Sequence, residues 1–245
     1  MLSETRLKGN VTMDKYQETF DTWNNITSLY QDKFMDLDLY NETYDFICSF
    51  FDESNTKILE IGCGPGNITK YILSRRPDFD IFGFDVAPNM VELAKLNNPT
   101  ASFAVLDCRQ IKQLGSTFDG IIGGFCLPYL SQDECTDLLH DANEMLHDNG
   151  LFYLSFVEGD PEKSYFKAGC GGRVYFNYHR LEHIRAQLVA LNFEELKLFK
   201  IKFNLLEKGF ELHTVLIAKK KSTLNLLISL KSDNVKMVRR CQRKR

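Results

Sequence analysis

Residues 57–73, KILEIGCGPGNITKYIL, pass from a short apolar run through a turn with three glycines, Gly62, Gly64 and Gly66, into a segment with helical spacing. Ile68, Tyr71 and Ile72 fall at i, i+3 and i+4, one face of a helix, and the pattern stops at Pro77. Strand, glycine turn and helix in that order let backbone approach a ligand closely. One carboxylate, Glu60, stands just before the turn. A phosphate, a dinucleotide and a sulfonium compound can each sit against such a turn, so the rest of the chain has to decide.

Outward from this stretch, apolar runs bounded by turn signals recur: DIFGFD (80–85), SFAVLD (102–107), FDGIIGG (118–124) and LFYLSFV (151–157). They are continuous rather than alternating, which suits strands covered on both faces by helices. The segments between them carry helix signals. Pro88 opens one and Pro99 stops it; Ser131 and Glu134 have capping-box spacing, with closure expected at Asn149-Gly150. Strand and helix alternate, so the expected fold class is α/β, a Rossmann-like doubly wound sheet. After the fifth strand, residues 178–195 read as a helix with Leu181, Ile184, Leu188 and Leu191 on one side. LKLFKIKF and FELHTVLIAKK then read as a hairpin at the sheet edge, linked through Glu207-Lys208-Gly209. Residues 14–52 look helical and aromatic, with Trp23, Tyr30, Phe34, Tyr40 and Phe46.

Ligands in such a sheet lie at the carboxyl ends of the strands, so the last residue of each strand is informative. Asp85 ends the second strand and can accept from both hydroxyls of a ribose, a feature shared by NAD and S-adenosylmethionine sites. Asp107 ends the third, where it can accept from an adenine amino group while the Cys108 N–H donates to the ring. The turn reads G-x-G-x-G and holds no lysine, which excludes a P-loop. Glu60 is an awkward neighbour for a pyrophosphate and a suitable one for an ammonium or sulfonium.

Glu60 to Gly66, Asp85 to Met90, Leu106-Asp107-Cys108 and the strand from Phe118 to Gly124 together resemble the successive motifs of class I S-adenosylmethionine-dependent methyltransferases. Within that family the chain is similar to the stand-alone small-molecule type, such as the quinone-biosynthesis methyltransferases. The resemblance implies seven strands in the order 3-2-1-4-5-7-6, strand 7 antiparallel. It implies a helical lid over 1–52, a methyltransferase domain over 53–220 and a basic extension over 221–245. The implied cofactor is S-adenosylmethionine, with S-adenosylhomocysteine as product. Its implied site is Glu60, Cys63 and Val86 with residues in assigned roles: Gly62, Gly64 and Gly66 admit it, Asp85 binds ribose, and Met90 lies against adenine. Asp107 and Cys108 read the adenine edge, Gly124 and Phe125 flank the methionyl group, and Tyr30 matches a lid tyrosine. The implied reaction is methyl transfer to an O, N or C nucleophile of a small molecule, with no catalytic base identified. CLPYL (126–130) departs from the Asn/Asp-Pro-Pro-aromatic element of amino-group methyltransferases acting on adenine or glutamine, because Leu127 replaces the polar residue. Tyr30, Tyr129, Tyr175, Tyr178 and His179 are candidates for the acceptor pocket. Two other readings are an NAD(P)-dependent oxidoreductase and a non-catalytic cofactor- or RNA-binding module.

Composition agrees with a globular protein, 44% hydrophobic and 26% charged. No apolar run is long enough for a membrane span and the N-terminus lacks an apolar signal core, so a cytoplasmic protein, monomer or homodimer, is expected. The seven cysteines are odd in number and hold no C-x-x-C pair, against a disulfide framework and a zinc site; no metal is expected. Net charge is −3, divided into +9 from Lys219 onward and −12 before it. The acidic body is a poor match for nucleic acid.

Overall fold

The computed structural model describes residues 14–169, 171–205 and 209–222. Most of the basic extension, Cys170, Cys241 and residues 206–208 of the expected hairpin link lie outside them. Helices α1 (Lys15–Asn25), α2 (Thr27–Phe34) and α3 (Asn41–Phe50) precede strand β1 (Lys57–Ile61). Helix α4 (Asn67–Arg75), β2 (Asp80–Asp85), α5 (Pro88–Asn97), β3 (Ser102–Val105) and β4 (Phe118–Gly124) follow. Then come α6 (Gln132–Met145), β5 (Leu146–Val157), β6 (Tyr165–Gly169), β7 (Gly172–Phe176), α7 (Leu181–Ala190), β8 (Phe193–Leu205) and β9 (Gly209–Lys220). The main sheet has seven strands in the order β3-β2-β1-β4-β5-β9-β8. The first five run parallel and β9 runs antiparallel to both neighbours. Counted along this sheet alone, that is the expected 3-2-1-4-5-7-6 order.

Two apolar layers sandwich the sheet, and β5 shows why its run is continuous. Phe152, Leu154 and Phe156 pack with Leu138 and Leu139 of α6 and Leu181, Ile184 and Leu188 of α7. Leu151 and Tyr153, facing the other way, pack with Tyr44 and Ile47 of α3 and Ile68 and Ile72 of α4. Alternate residues serve opposite layers, so residues 151–157 are apolar except for the buried Ser155, whose hydroxyl oxygen accepts from the Phe125 N–H at 2.9 Å.

The structure adds three features. Helix α6 keeps its capping box at Ser131 and Glu134 but ends at Met145, before the expected Asn149-Gly150 stop. Leu146 already pairs with Phe118, and the chain turns at Asn149, φ 66°, before the main ladder resumes at Leu151. The separate hairpin β6–β7 was not expected. It is held to α1: the Thr22 hydroxyl donates to the Arg173 carbonyl at 2.8 Å, and Thr19 Oγ1 accepts from the Tyr175 N–H at 2.9 Å. Finally, β3 stops at Val105, so Asp107 caps a 3-10 segment (Cys108–Leu114) by accepting from the Arg109 N–H. Among the described residues no helix is long and apolar enough to cross a membrane.

Gly66 sets how α4 leaves the turn. It is left-handed at φ 82°, and a Cβ there would strike Asn98 Nδ2 and lie 3.3 Å from the Ala94 Cα. Asn98 Nδ2 donates to the Gly66 carbonyl at 3.0 Å, binding α5 to the turn. Gly66→Ala is therefore expected to destabilise the fold by roughly 1–3 kcal/mol, read as a lower denaturant midpoint with an unchanged slope.

Candidate active site

The turn after β1 places Gly62, Gly64 and Gly66 at φ 68°, 53° and 82°. Three of its N–H groups are used internally. Cys63 donates to the Phe84 carbonyl at 2.9 Å, Gly66 to the Cys63 carbonyl at 3.0 Å, and Gly64 to Asp85 Oδ2 at 2.9 Å. Asp85 Oδ1 accepts from the Ala87 N–H at 2.9 Å. Each carboxylate oxygen thus keeps acceptor capacity for a further donor. Burial raises the Asp85 pKa and the backbone donors oppose that rise.

Two chambers open at these strand ends. The first is lined by Gly62, Gly64, Phe84, Asp85, Val86, Met90, Leu106, Asp107, Cys108, Arg109, Cys126 and Leu130, roofed by Tyr16, Thr19 and Phe20 of α1. The second, of about 260 Å³, includes Lys33, Phe34, Tyr40, Tyr44, Glu60, Ile68, Lys167, Phe176, Phe203, Glu211 and His213. Trp23, Tyr30, Gly62, Gly124, Phe125 and Tyr129 line both, so the chambers share a wall. Trp23 meets Tyr30 and Tyr129 edge-on at centroid distances of 5.5 and 5.6 Å.

Ten of the expected site residues line the first chamber: Tyr30, Gly62, Gly64, Asp85, Val86, Met90, Asp107, Cys108, Gly124 and Phe125. Glu60 borders the second instead. Cys63 packs against Val91, Ala94 and Phe103, and Gly66 faces α5, so neither lines a chamber. Asp107 is engaged more heavily than its position suggests: Arg109 Nε lies 3.0 Å from each carboxylate oxygen and Nη2 lies 2.5 Å from Oδ2. That guanidinium stacks 4.2 Å from the Tyr16 ring centroid, and the Tyr16 hydroxyl donates to Glu134. Of the acceptor-pocket candidates, Tyr30 and Tyr129 line the chambers; Tyr175 and Tyr178 do not. His179 is buried, with Nε2 2.8 Å from the Leu127 carbonyl, and holds the chain after β4 in place. Burial pushes the Cys108 thiol up to about 12, which keeps it a thiol rather than a nucleophilic thiolate.

Sequence reasoning missed Tyr16, Thr19, Phe20 and Arg109. The first three lie on a helix with no motif, and Arg109 is one residue beyond the Asp107-Cys108 pair. Arg109 had a readable signal, a cation two residues from an acid at a strand end.

Residues 58–150 match the protein family described as Methyltransferase domain. The chain is 30% identical over 123 residues to a protein of Invertebrate iridescent virus 6 named as a methyltransferase, covering 48% of this chain and 46% of that one. It is 39% identical over 72 residues to malonyl-[acyl-carrier protein] O-methyltransferase of Acetivibrio thermocellus, covering 29% and 25%. The chain thus spans less than half the length of these curated relatives. Its structure is similar to that of magnesium protoporphyrin IX methyltransferase from Synechocystis with bound S-adenosylmethionine, TM-score 0.67, 15% identity, covering 87% of this chain and 100% of that one. The chain therefore has the fold of that methyltransferase, and its residues 58–150 match a methyltransferase domain.

Glu60 is 1% exposed and accepts from the Thr69 hydroxyl through Oε2, while Oε1 has no partner among the described residues. Burial pushes its pKa from 4.5 up to about 8. The folded state therefore holds a proton that the unfolded chain releases near pH 4.5, and stability contributed by this group falls as pH rises towards 8. Wild type should lose on the order of a few kcal/mol relative to Glu60→Gln across that window, measured by urea unfolding at a series of pH values. Parallel pH curves for the two proteins would refute this.

Proposed function

We propose that the chain transfers the methyl group of S-adenosylmethionine to an oxygen, nitrogen or carbon nucleophile of a small molecule. The observation that carries this reading is the pairing of a chamber built around Asp85 with an aromatic chamber across a shared wall. The residues present fit the cofactor. Asp85 has acceptor capacity for a ribose, Met90, Phe84 and Leu106 supply apolar surface for an adenine, and the unpartnered Glu60 Oε1 suits an ammonium. When bound, the cofactor supplies an electrophilic methyl group on a sulfonium.

The chain's own residues hold and align. Aromatic walls exclude water and position an apolar acceptor, and their faces favour a nearby cation. In this reading residues 1–52 act as a lid, 53–220 as the catalytic domain and 221–245 as an appended basic segment. The hold of α1 on the first chamber, through Tyr16 and Arg109, supports the lid role. A nicotinamide dinucleotide fits less well: the Cys63, Gly64 and Gly66 N–H groups that would meet its pyrophosphate are already bonded internally.

Isothermal titration tests the reading. S-adenosylmethionine and S-adenosylhomocysteine should each give binding heat, with affinity lowered on the order of 100-fold by Asp85→Ala, the loss of two hydrogen bonds to a charged group. No heat from either ligand sinks the proposal. Binding at pH 7 should also release about one proton as Glu60 ionises beside the ammonium, seen by comparing buffers of different ionisation enthalpy. Glu60→Gln should release none.

A further inference from the structure

The second chamber holds a line of polar groups that the burial of an apolar acceptor does not require. Tyr40 Oη lies 2.6 Å from His213 Nδ1, and Glu211 Oε2 lies 3.6 Å from His213 Nε2. His213 is 7% exposed, and its Nε2 has no hydrogen-bond partner among the described residues. A buried polar atom left unpaired costs about 1–3 kcal/mol, so the arrangement calls for a use.

The imidazole is fixed in place. His213 sits in the middle of β9, opposite Val157 of β5 and Ile201 of β8. Its ring stacks on Phe203 at a centroid distance of 4.8 Å, and Phe125 meets it edge-on at 4.9 Å. Phe125 also lies 5.4 Å from the Tyr40 ring and belongs to the wall shared by the two chambers. The line of groups therefore ends where the chambers meet.

The surrounding charges set the direction in which a proton moves. Lys167 Nζ lies 2.7 Å from Glu211 Oε1, and Lys33 Nζ lies over the Phe203 ring at 5.7 Å. Glu60 stands on the wall of the same chamber. His213, then Lys167, holds the Glu211 carboxyl down at about 2, so it stays ionised. A carboxylate beside Nε2 favours a proton on that nitrogen, which leaves Nδ1 to accept from the Tyr40 hydroxyl. Burial raises the Tyr40 pKa, so the phenol keeps its proton until a base takes it.

We propose that Tyr40, His213 and Glu211 form a proton relay that deprotonates the methyl acceptor, an inference that rests on the methyl-transfer reading above. The acceptor's O–H or N–H donates to Tyr40 Oη. As its oxygen or nitrogen forms a bond to the methyl carbon, the carbon–sulfur bond breaks and its electron pair stays on sulfur. The acceptor's proton passes to Tyr40 Oη while Tyr40's own proton passes to His213 Nδ1. The positive charge lost from the sulfonium is thereby replaced by an imidazolium beside the Glu211 carboxylate. Such a relay serves only an acceptor that arrives protonated. With the aromatic rings around it, the relay selects flat hydroxy- or amino-aromatic compounds over carboxylates.

The test uses the full chain, with and without S-adenosylhomocysteine, and 4-nitrophenol as the probe, because the colour of its anion reports ionisation directly. The bound probe is titrated by absorbance in wild type, Tyr40→Phe and His213→Gln. 4-Nitroanisole, which has no proton to give, is the control. Bound nitrophenol should ionise about tenfold more readily in wild type than in either variant, with nitroanisole affinity unchanged. Equal ionisation in all three proteins, or a probe that does not bind wild type, overturns the relay. If His213→Gln does not fold, the isosteric Tyr40→Phe carries the comparison alone. Absence of S-adenosylhomocysteine heat in wild type would overturn the methyltransferase reading instead, and the probe titration without that ligand still reports on the relay.

Discussion

The hydrogen bond from the Gly64 N–H to the Asp85 carboxylate, 2.9 Å long, joins the ends of β1 and β2 and is the contact on which the site depends. It requires a turn in which Gly62 and Gly64 adopt positive φ, so that an N–H points sideways towards the neighbouring strand rather than along the chain. Held by this donor and by the Ala87 N–H, Asp85 lines the first chamber with acceptor capacity left at each oxygen. The same turn leads into α4 through Gly66, whose missing side chain lets α5 approach and bring Met90 to the chamber wall.

Burial is the second constraint, and it acts on chemistry as well as packing. Tyr30, Tyr44 and Tyr129 all have raised pKa values, with burial as the first cause in each. Glu60, pushed to about 8 by the same effect, rests neutral below that pH until a cation comes beside it. Glu211 is the exception: its neighbours His213 and Lys167 outweigh burial and keep it charged. The chamber thus contains a permanent carboxylate and a conditional one, placed on different strands.

How much was legible in the chain depends on the range of the forces involved. The runs at β1, β2 and β4 end where the turn residues put them, because a strand buried on both faces is apolar throughout and its boundary is abrupt. The end of α6 was not legible: nothing local stops the helix at Met145, and it is pairing of Leu146 with Phe118 that draws the chain into β5. The β6–β7 hairpin was missed for the same reason. Its two short strands are secured by Thr19 and Thr22, residues about 150 positions earlier in the chain.

At the site, the sequence by itself determined the glycine turn, the acid that ends β2, the acid just beyond β3 and hence the kind of ligand to which they point, because each follows from local backbone geometry and the order of strands. Only the tertiary structure decided that Arg109 occupies Asp107, that α1 covers the first chamber, and that Glu60 faces the second. It alone brought Tyr40 to within 2.6 Å of His213, 173 residues away. Contacts between elements so distant in sequence leave no period or spacing to read; they exist only once burial of the shared core has fixed how the elements pack.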